Sequence, residues 1–214
     1  MCQHTFRKFL PYGRIPRTNA LCPECLALER HRLMWLFLKN KTNFFTDQIT
    51  LLHIAPELCL IDRFKNQTNI DYLSADLESP LAMVKMDIHN IPFEDQRFNV
   101  AFCNHVMEHV ENDIKAMQEI YRVLKPGGWA IIQSPIDLKL EKTIEGNHLK
   151  TASEREKAFG QDDHVRMYGR DYKQRLEKGG FKVNEVDYVG DLEEDLIVKY
   201  ALPRDEIIYF CQKI

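Results

Sequence analysis

The stretch from residue 98 to residue 136 changes its pattern of apolar positions twice, from a continuous run to a helical spacing and back. Residues 100–103 form an apolar run that is typical of a buried strand. A second strand is predicted at residues 129–134, which begin with the apolar run 129–132. Pro126 cannot continue a helix and the two glycines after it allow a sharp reversal, so the three residues predict a structural turn into the second strand. The apolar stripe between the two runs has helical spacing: Ile114, Met117, Ile120, Tyr121 and Leu124.

The rest of the chain continues this alternation of strands and helices. Such an order predicts a doubly wound α/β sheet, mostly parallel with an antiparallel edge strand, in a three-layer α/β/α sandwich. The further strands are expected at residues 51–55, 70–75, 83–86, 181–189 and 206–211, and helices at 26–41, 57–64 and 172–178.

Two segments lack a clear period. Residues 1–27 are rich in turn formers, and we interpret them as a short cysteine-containing appendage to a main domain at residues 28–214. Residues 137–167 are polar and non-periodic, and a loop of this length in a compact domain is more often a lid or binding segment than a simple connection.

Composition narrows the class of protein. The 214 residues, 44% of them hydrophobic, suffice for one domain of ordinary size with a small appendage. The formal net charge is −3 with both signs dispersed, so we expect no broad basic face for nucleic acid. No apolar run approaches the ~20 residues that span a bilayer, and the first residues lack the hydrophobic segment of a signal peptide. We therefore expect a cytoplasmic protein with no membrane partner.

Several motifs resemble those of class I S-adenosylmethionine-dependent methyltransferases. Phe98 and Asn99, then Glu108 and His109, and finally the Arg-Val-Leu-Lys-Pro-Gly-Gly run at residues 122–128 follow the order of that class. Together with LLHIAPE, DYLSADLE, VKMDIHNIPFEDQRF and FGQDDHVRMYG, they resemble a bacterial group of type 11 methyltransferases over nearly the whole chain. The resemblance implies a Rossmann-like methyltransferase fold, S-adenosylmethionine as cofactor and methyl transfer to a small-molecule acceptor.

The resemblance also implies a cofactor site. The first strand-to-helix turn of the class normally carries Gly-x-Gly, and this chain has His-Ile-Ala-Pro-Glu there, which leaves an ordinary turn as the alternative. Asp76 lies where a carboxylate accepts hydrogen bonds from both ribose hydroxyls, although an acidic residue at a strand end can also simply close a turn. Asp87 and Ile88 match the position that holds adenine. The implied cofactor residues are His53, Ala55, Pro56, Glu57, Asp76, Leu77, Asp87, Ile88, Asn104 and His105.

Three histidines are candidates for a base, if the acceptor must lose a proton: His105, His109 and His164. His164 alternates with Arg166 and Tyr168, so the three share one face if the segment is extended. That face is suited to an anionic or hydroxylated acceptor, and a polar surface loop is the alternative.

The amino-terminal cysteines indicate a structural zinc site. Cys22 and Cys25 have the Cys-x-x-Cys spacing of a zinc knuckle, and Cys2 and His4 are the nearby candidates for a second pair. Free thiols in a flexible arm are the alternative.

Two other functions fit part of the chain. A non-catalytic binding protein that kept the methyltransferase fold would explain the altered first turn. A zinc peptidase would use the pattern His105-x-x-Glu108-His109, which needs a helix around the motif. The sequence leaves the acceptor, the methylated atom and the oligomeric state open.

Overall fold

The computed structural model describes residues 1–146 and 148–214, and position 147 of the predicted 137–167 loop lies outside them. The helices are α1 (Glu29–Lys41), α2 (Leu58–Lys65), α3 (Asp113–Val123), α4 (Ala152–Phe159), α5 (Tyr172–Lys178) and α6 (Glu194–Tyr200). The strands are β1 (Leu10–Tyr12), β2 (Arg17–Leu21), β3 (Ile49–Ile54), β4 (Ile70–Asp76), β5 (Val84–Lys85), β6 (Phe98–Asn104), β7 (Leu124–Gln133), β8 (Ile144–Glu145), β9 (Arg166–Met167), β10 (Lys182–Val186) and β11 (Ile208–Gln212).

Seven strands form one sheet in the order β10-β11-β7-β6-β3-β4-β5. β3 pairs parallel with β6, β6 with β7, and β4 with β5, whereas β11 runs antiparallel to β7. The predicted Rossmann-like sheet, mostly parallel with an antiparallel strand towards one edge and helices around it, is confirmed.

The central strands are buried along nearly their whole length. Every residue of β6 except Asn99 is buried, and so is every residue of β3 except Thr50. Continuous burial is expected where helices cover both faces of a parallel sheet, because neither side of the strand then meets water. This explains why the sequence shows these strands as apolar runs rather than as alternating patterns.

The connection between α3 and β7 differs from the prediction. β7 begins at Leu124, directly after the helix, and not at Trp129. The pairing places Phe98 opposite Leu124 and Val100 opposite Trp129, so residues 125–128 bulge out of the ladder. The Pro-Gly-Gly segment is therefore a bulge within the strand.

Besides the paired two-residue strands β8 and β9, three local features were not predicted from the sequence. Residues 1–27 contain an antiparallel hairpin of β1 and β2, and α4 lies inside the segment that was predicted as a loop. α6 follows β10 and was not predicted. All three are short, and α4 has only one buried residue, Phe159, so it carries almost no amphipathic signal.

The chain divides into two compact units. The first comprises Met1–Ile49, Glu57–Asp71 and Val186–Ile208; the second comprises Thr50–Pro56, Tyr72–Glu185 and Tyr209–Ile214. In the first unit, buried Arg32 of α1 donates hydrogen bonds to the carbonyl oxygens of Ala20, Ala27 and Tyr200. The boundary predicted after residue 27 stays a prediction.

Candidate active site

The strand order reverses between β3 and β6. From β3 the chain continues to β4 and β5 on one side, whereas β6 and β7 lie on the other. In an open parallel sheet, the two outgoing turns at such a reversal diverge and leave a crevice at the carboxyl ends of the strands. The crevice is therefore expected beside Ala55 and His105, the residues that directly follow β3 and β6.

Both of these residues adopt left-handed backbone conformations. φ is +50° at Ala55 and +55° at His105. The amide of Ala55 donates to the carbonyl of Ala75 at 2.9 Å, and the amide of His105 donates to the carbonyl of Gln133 at 2.7 Å. Non-glycine residues enter this region at a cost of about 1–2 kcal/mol, and such strain concentrates at functional sites.

The remaining residues of the first turn are distributed over both units. In the second unit, His53 is buried and its Nδ1 lies 3.0 Å from the hydroxyl of Tyr72. Pro56 is buried as well. In the first unit, Glu57 precedes α2, and its Oε1 lies 2.6 Å from Nε2 of His31 on α1.

Asp76 closes a turn at the end of β4. Its Oδ1 accepts hydrogen bonds from the amides of Glu78 and Ser79 at 2.8 and 2.6 Å. The neighbouring Leu77 is exposed. Asp76 thus performs the turn role that was left open, and its second carboxylate oxygen remains for another donor.

Asp87 follows β5, the neighbouring parallel strand. Its Oδ1 accepts from the amide of His89 at 2.8 Å and lies 2.9 Å from Nδ1 of the same residue, and these bonds lower the pKa of the carboxyl. Ile88 is buried. Asp76 and Asp87 thus lie at the carboxyl ends of adjacent parallel strands, and their common role in a cofactor site stays a prediction.

A cluster of three histidines surrounds a buried carboxylate just past β6. Glu108 is 2% exposed; its Oε2 accepts from the hydroxyl of Ser134 at 3.0 Å, and its Oε1 lies 3.4 Å from Nδ1 of His105. Burial alone would raise the pKa of Glu108, but the hydrogen bond and charge of His105 outweigh it and lower that pKa. The rings of His109 and His164 meet edge to face with centroids 4.8 Å apart. Burial lowers the pKa of His164.

Arg166 and Tyr168 lie in the interior. Arg166 is 2% exposed and donates to the carbonyl oxygens of Met107 and Val110, each at 2.6 Å. The hydroxyl of Tyr168 lies 2.8 Å from Oδ2 of Asp113. His164, Arg166 and Tyr168 do share the predicted face, but the face points inward, so the latter two side chains support the histidine loop rather than present themselves to solvent.

The peptidase alternative is wrong in its geometry. It requires His105, Glu108 and His109 on one helix, but residues 105–112 form turns and bends between β6 and α3. The turn brings these three side chains near one another without helical spacing, and His164 joins them from a distant part of the sequence.

In the first unit, three sulfur atoms converge at the amino terminus. The Sγ atoms of Cys2, Cys22 and Cys25 lie within 4.8 Å of one another, and those of Cys2 and Cys22 are 3.6 Å apart. His4 is exposed, and its ring centroid lies 6.3 Å from that of Phe6. The structure thus brings together three of the four predicted zinc ligands.

Sequence reasoning missed the pair that fixes the loop after β5. Glu119 on α3 accepts from the amide of Ile91 at 2.9 Å, and Arg122 donates to the carbonyls of Ile91 and Phe93 at 2.8 Å each. The two side chains also bond to each other at 2.8 Å. The i, i+3 spacing of opposite charges was a visible signal of their contact, but the loop that they hold was not.

Comparison with known proteins agrees with this architecture. Residues 37–132 match the family model described as a methyltransferase domain, type 11. The chain is 31% identical over 116 residues to a sterol 4-C-methyltransferase of Caenorhabditis elegans, which covers 54% of this chain and 33% of the relative. It is 32% identical over 89 residues to a demethylmenaquinone methyltransferase of Chlorobaculum tepidum, which covers 42% and 32%.

A solved structure resembles the fold over most of the chain. The S-adenosylmethionine-dependent methyltransferase of Mesorhizobium loti superposes with a TM-score of 0.55 at 13% identity, covering 84% of this chain and 97% of that protein. The chain spans about a third of the length of the curated relatives named above.

Residues 37–132 are thus similar to a methyltransferase domain, and the strand order, with the resemblance to the solved structure, shows the Rossmann-like fold of such domains. None of the described helices is long and apolar enough to cross a bilayer.

Proposed function

We propose that this chain is an S-adenosylmethionine-dependent methyltransferase that acts on a small-molecule acceptor. Its matched relatives are named for a sterol and for demethylmenaquinone, which supports an acceptor of low molecular mass. The bound cofactor would supply an electrophilic methyl group on a sulfonium.

One observation carries the proposal: the left-handed backbone of Ala55 at the strand-order reversal. Glycine is the usual residue where a turn needs this conformation and close approach to a ligand. Here the small side chain of alanine occupies the same backbone region, so the turn keeps the conformation that the missing Gly-x-Gly would have favoured. This conformation supports the proposal of a cofactor site at the first turn.

The acidic residues at the neighbouring strand ends fit the polar groups of the cofactor. Asp76 would accept hydrogen bonds from the ribose hydroxyls through Oδ2, while Oδ1 keeps the turn closed. Asp87 would accept from the adenine amino group, with Ile88 as its apolar neighbour. Asn104 ends β6 and His105 follows it, and in the proposed site both would lie beside the methyl-bearing end of the cofactor.

The acceptor would bind next to the histidine cluster. Transfer from a sulfonium is an in-line displacement, so positioning and exclusion of water supply much of the acceleration. His105, His109 and His164 face the buried Glu108, and Arg166 fixes the turn that carries two of them. We propose that Arg166 and Tyr168 act as positioning residues here.

Isothermal titration with S-adenosylhomocysteine tests the cofactor site. The informative variant is Asp76→Asn, because its amide oxygen can still close the turn while the charged acceptor is lost. Loss of hydrogen bonds to a charged group costs about 1.5–3 kcal/mol, so we expect binding about 10- to 100-fold weaker than in the parent protein.

Asp71→Asn is the matched control, since Asp71 is exposed near the amino end of the same strand. It should bind like the parent. No binding by a folded parent protein would refute the proposed function and favour the alternative that the altered first turn suggests, a non-catalytic binding protein with this fold.

We further propose a structural zinc ion at the amino-terminal cysteines. Two thiolates on one tetrahedral zinc, each about 2.3 Å from the ion, lie about 3.8 Å apart, close to the observed 3.6 Å between Cys2 and Cys22. Cys25 supplies a third sulfur from the same turn. His4, exposed in the structure, stays the proposed fourth ligand.

Metal analysis of reduced protein tests this site. Cys22→Ser should lower the zinc content by one equivalent per chain, whereas Cys211→Ala, which removes a buried thiol of β11, should leave it unchanged. Equal zinc content in Cys22→Ser and the parent would contradict the proposal.

A further inference from the structure

His164 is buried. Its side chain is 3% exposed, and neither ring nitrogen has a partner among residues 1–146 and 148–214. A neutral imidazole carries one donor and one acceptor, and each buried polar atom left unpaired costs about 1–3 kcal/mol. A native structure rarely sustains such a group unless something outside the chain binds it.

Two further ligand-type side chains point to the same place. The ligand atoms of Glu108, His109 and His164 all lie within 4.8 Å of one another. The carboxylate of Glu108 bonds to Ser134 and lies beside His105, and Nδ1 of His109 lies 3.3 Å from Asp163, so the described polar contacts of both side chains are to groups outside the trio. This is the arrangement of side chains around an ion rather than of a closed hydrogen-bond network.

The backbone around the cluster is held firmly. The amide of Val165 donates to the carbonyl of Glu108 at 2.9 Å, which ties the residue after His164 directly to the turn that carries the other two ligands. Arg166 adds hydrogen bonds to Met107 and Val110, one residue to either side of Glu108 and His109. A site with precise geometry needs this kind of support.

We propose that Glu108, His109 and His164 form a binding site for a divalent transition-metal ion. Two imidazoles and one carboxylate are ligands that suit Zn²⁺ and its first-row neighbours, whereas Mg²⁺ and Ca²⁺ prefer oxygen alone. His105 and Ser134 lie behind Glu108 and orient its carboxylate, as outer partners commonly do at metal sites.

Three protein ligands leave a coordination position open. An oxygen of the acceptor, bound there, would be polarised and deprotonated more easily. This role rests on the proposed methyltransferase function, but the metal site itself does not.

Cobalt titration of metal-free protein tests the site. The experiment uses a background with both Cys22→Ser and Cys25→Ser, which leaves one of the three converging amino-terminal thiols. Co²⁺ bound by imidazole and carboxylate shows visible bands without a thiolate charge-transfer band, so any metal left on Cys2 is recognised separately. We expect one equivalent to bind, and binding to weaken at least tenfold when His164→Gln is added.

The controls separate loss of a ligand from loss of the fold. His148→Ala removes an exposed histidine from the described part of the same segment and should bind cobalt like the background protein. Glu108→Gln keeps the hydrogen bond from Ser134 and should also weaken binding.

Circular dichroism and S-adenosylhomocysteine titration of each variant report folding and the cofactor site independently. Absence of cobalt binding in the folded background protein, or unchanged affinity in folded His164→Gln, would overturn the proposal.

Discussion

At the scale of single residues, two non-glycine residues adopt the left-handed backbone conformation that glycine usually adopts. Ala55 and His105 both have positive φ and both follow strands at the reversal of the sheet order. The hydrogen bonds of their amides to the next strand hold them there. Strain at this pair of turns indicates that the surrounding sheet dictates the shape of the crevice.

Replacing Ala55 by glycine should be tolerated. The substitution relieves about 1–2 kcal/mol of left-handed strain, whereas the greater backbone freedom of glycine in the unfolded chain costs about 0.5–1 kcal/mol, so stability should rise by up to about 1.5 kcal/mol. Ala55→Val should lower stability and cofactor affinity, because a branched side chain fits this conformation poorly. Urea denaturation and S-adenosylhomocysteine titration measure both effects; a destabilised Ala55→Gly would show that alanine is needed for another reason.

The Glu119–Arg122 pair predicts a pH dependence. The hydrogen bond from Arg122, with further help from Ile91 and Lys115, lowers the pKa of Glu119 to about 2. A carboxyl with a lowered pKa stabilises the fold fully above its unfolded pKa, near 4.5, and loses this contribution as the pH falls towards 2. The contribution is about 3 kcal/mol by the linkage relation.

Glu119→Gln should therefore be less stable than the parent at pH 7, and its stability should decline less steeply between about pH 5 and pH 2. Denaturation midpoints measured across this range give the comparison. Asp95→Asn removes only the exposed partner of Arg122 and should have a much smaller effect. Parallel curves for parent and Glu119→Gln would contradict the assignment.

At the scale of elements, the bulge in β7 joins α3 to the sheet without a separate loop. Gly127 has φ of +76° with open space around its Cα, whereas a Cβ on Gly128 would lie 2.8 Å from the carbonyl oxygens of Asn99 and Lys125. The two adjacent glycines are thus required for different reasons, one for its conformation and the other for close backbone packing.

Alanine at these two positions should have unequal effects. Gly127→Ala should cost about 1–2 kcal/mol, the price of a left-handed alanine. Gly128→Ala should cost more, because the opposing atoms are backbone and cannot move aside without disturbing the pairing of β6 with β7. The free energies of unfolding of the two variants test this order, and a smaller cost at Gly128 would contradict it.

At the scale of the whole molecule, strand order decides which distant segments meet. Residues after β3, β4, β5 and β6 are spread over about fifty positions of sequence, and the sheet places them at one set of strand ends. A ligand bound at these ends contacts several elements of the second unit and stabilises the folded state by mass action.

S-adenosylhomocysteine should therefore raise the thermal midpoint. At about 100 times its dissociation constant, a ligand adds about 2.7 kcal/mol, which corresponds to about 5–10 °C for a chain of this size. Asp76→Asn should show a smaller shift at the same concentration. Differential scanning calorimetry gives both values, and equal shifts for the two proteins would place the ligand away from Asp76.

Much of the fold could be predicted because its signals are local. Apolar runs identified β3, β4, β6 and β7, and the stripe from Ile114 identified α3, since burial on a sheet or helix imposes a period on the chain itself. α5 was predicted at residues 172–178, as observed. The short elements α4 and α6 were missed, because a helix with few buried residues has no such period.

The sequence by itself determined the class of fold, the order of the main strands and helices of the sheet and the residues near their ends, because these follow from periodicity and from motifs within short segments. Alternation also predicted that His164, Arg166 and Tyr168 share a face if their segment is extended. Only the tertiary structure decided that this face points inward and that His164 meets Glu108 across more than fifty residues of chain. The direction of a face and the contacts between distant segments depend on how the layers pack, and no local pattern encodes that packing.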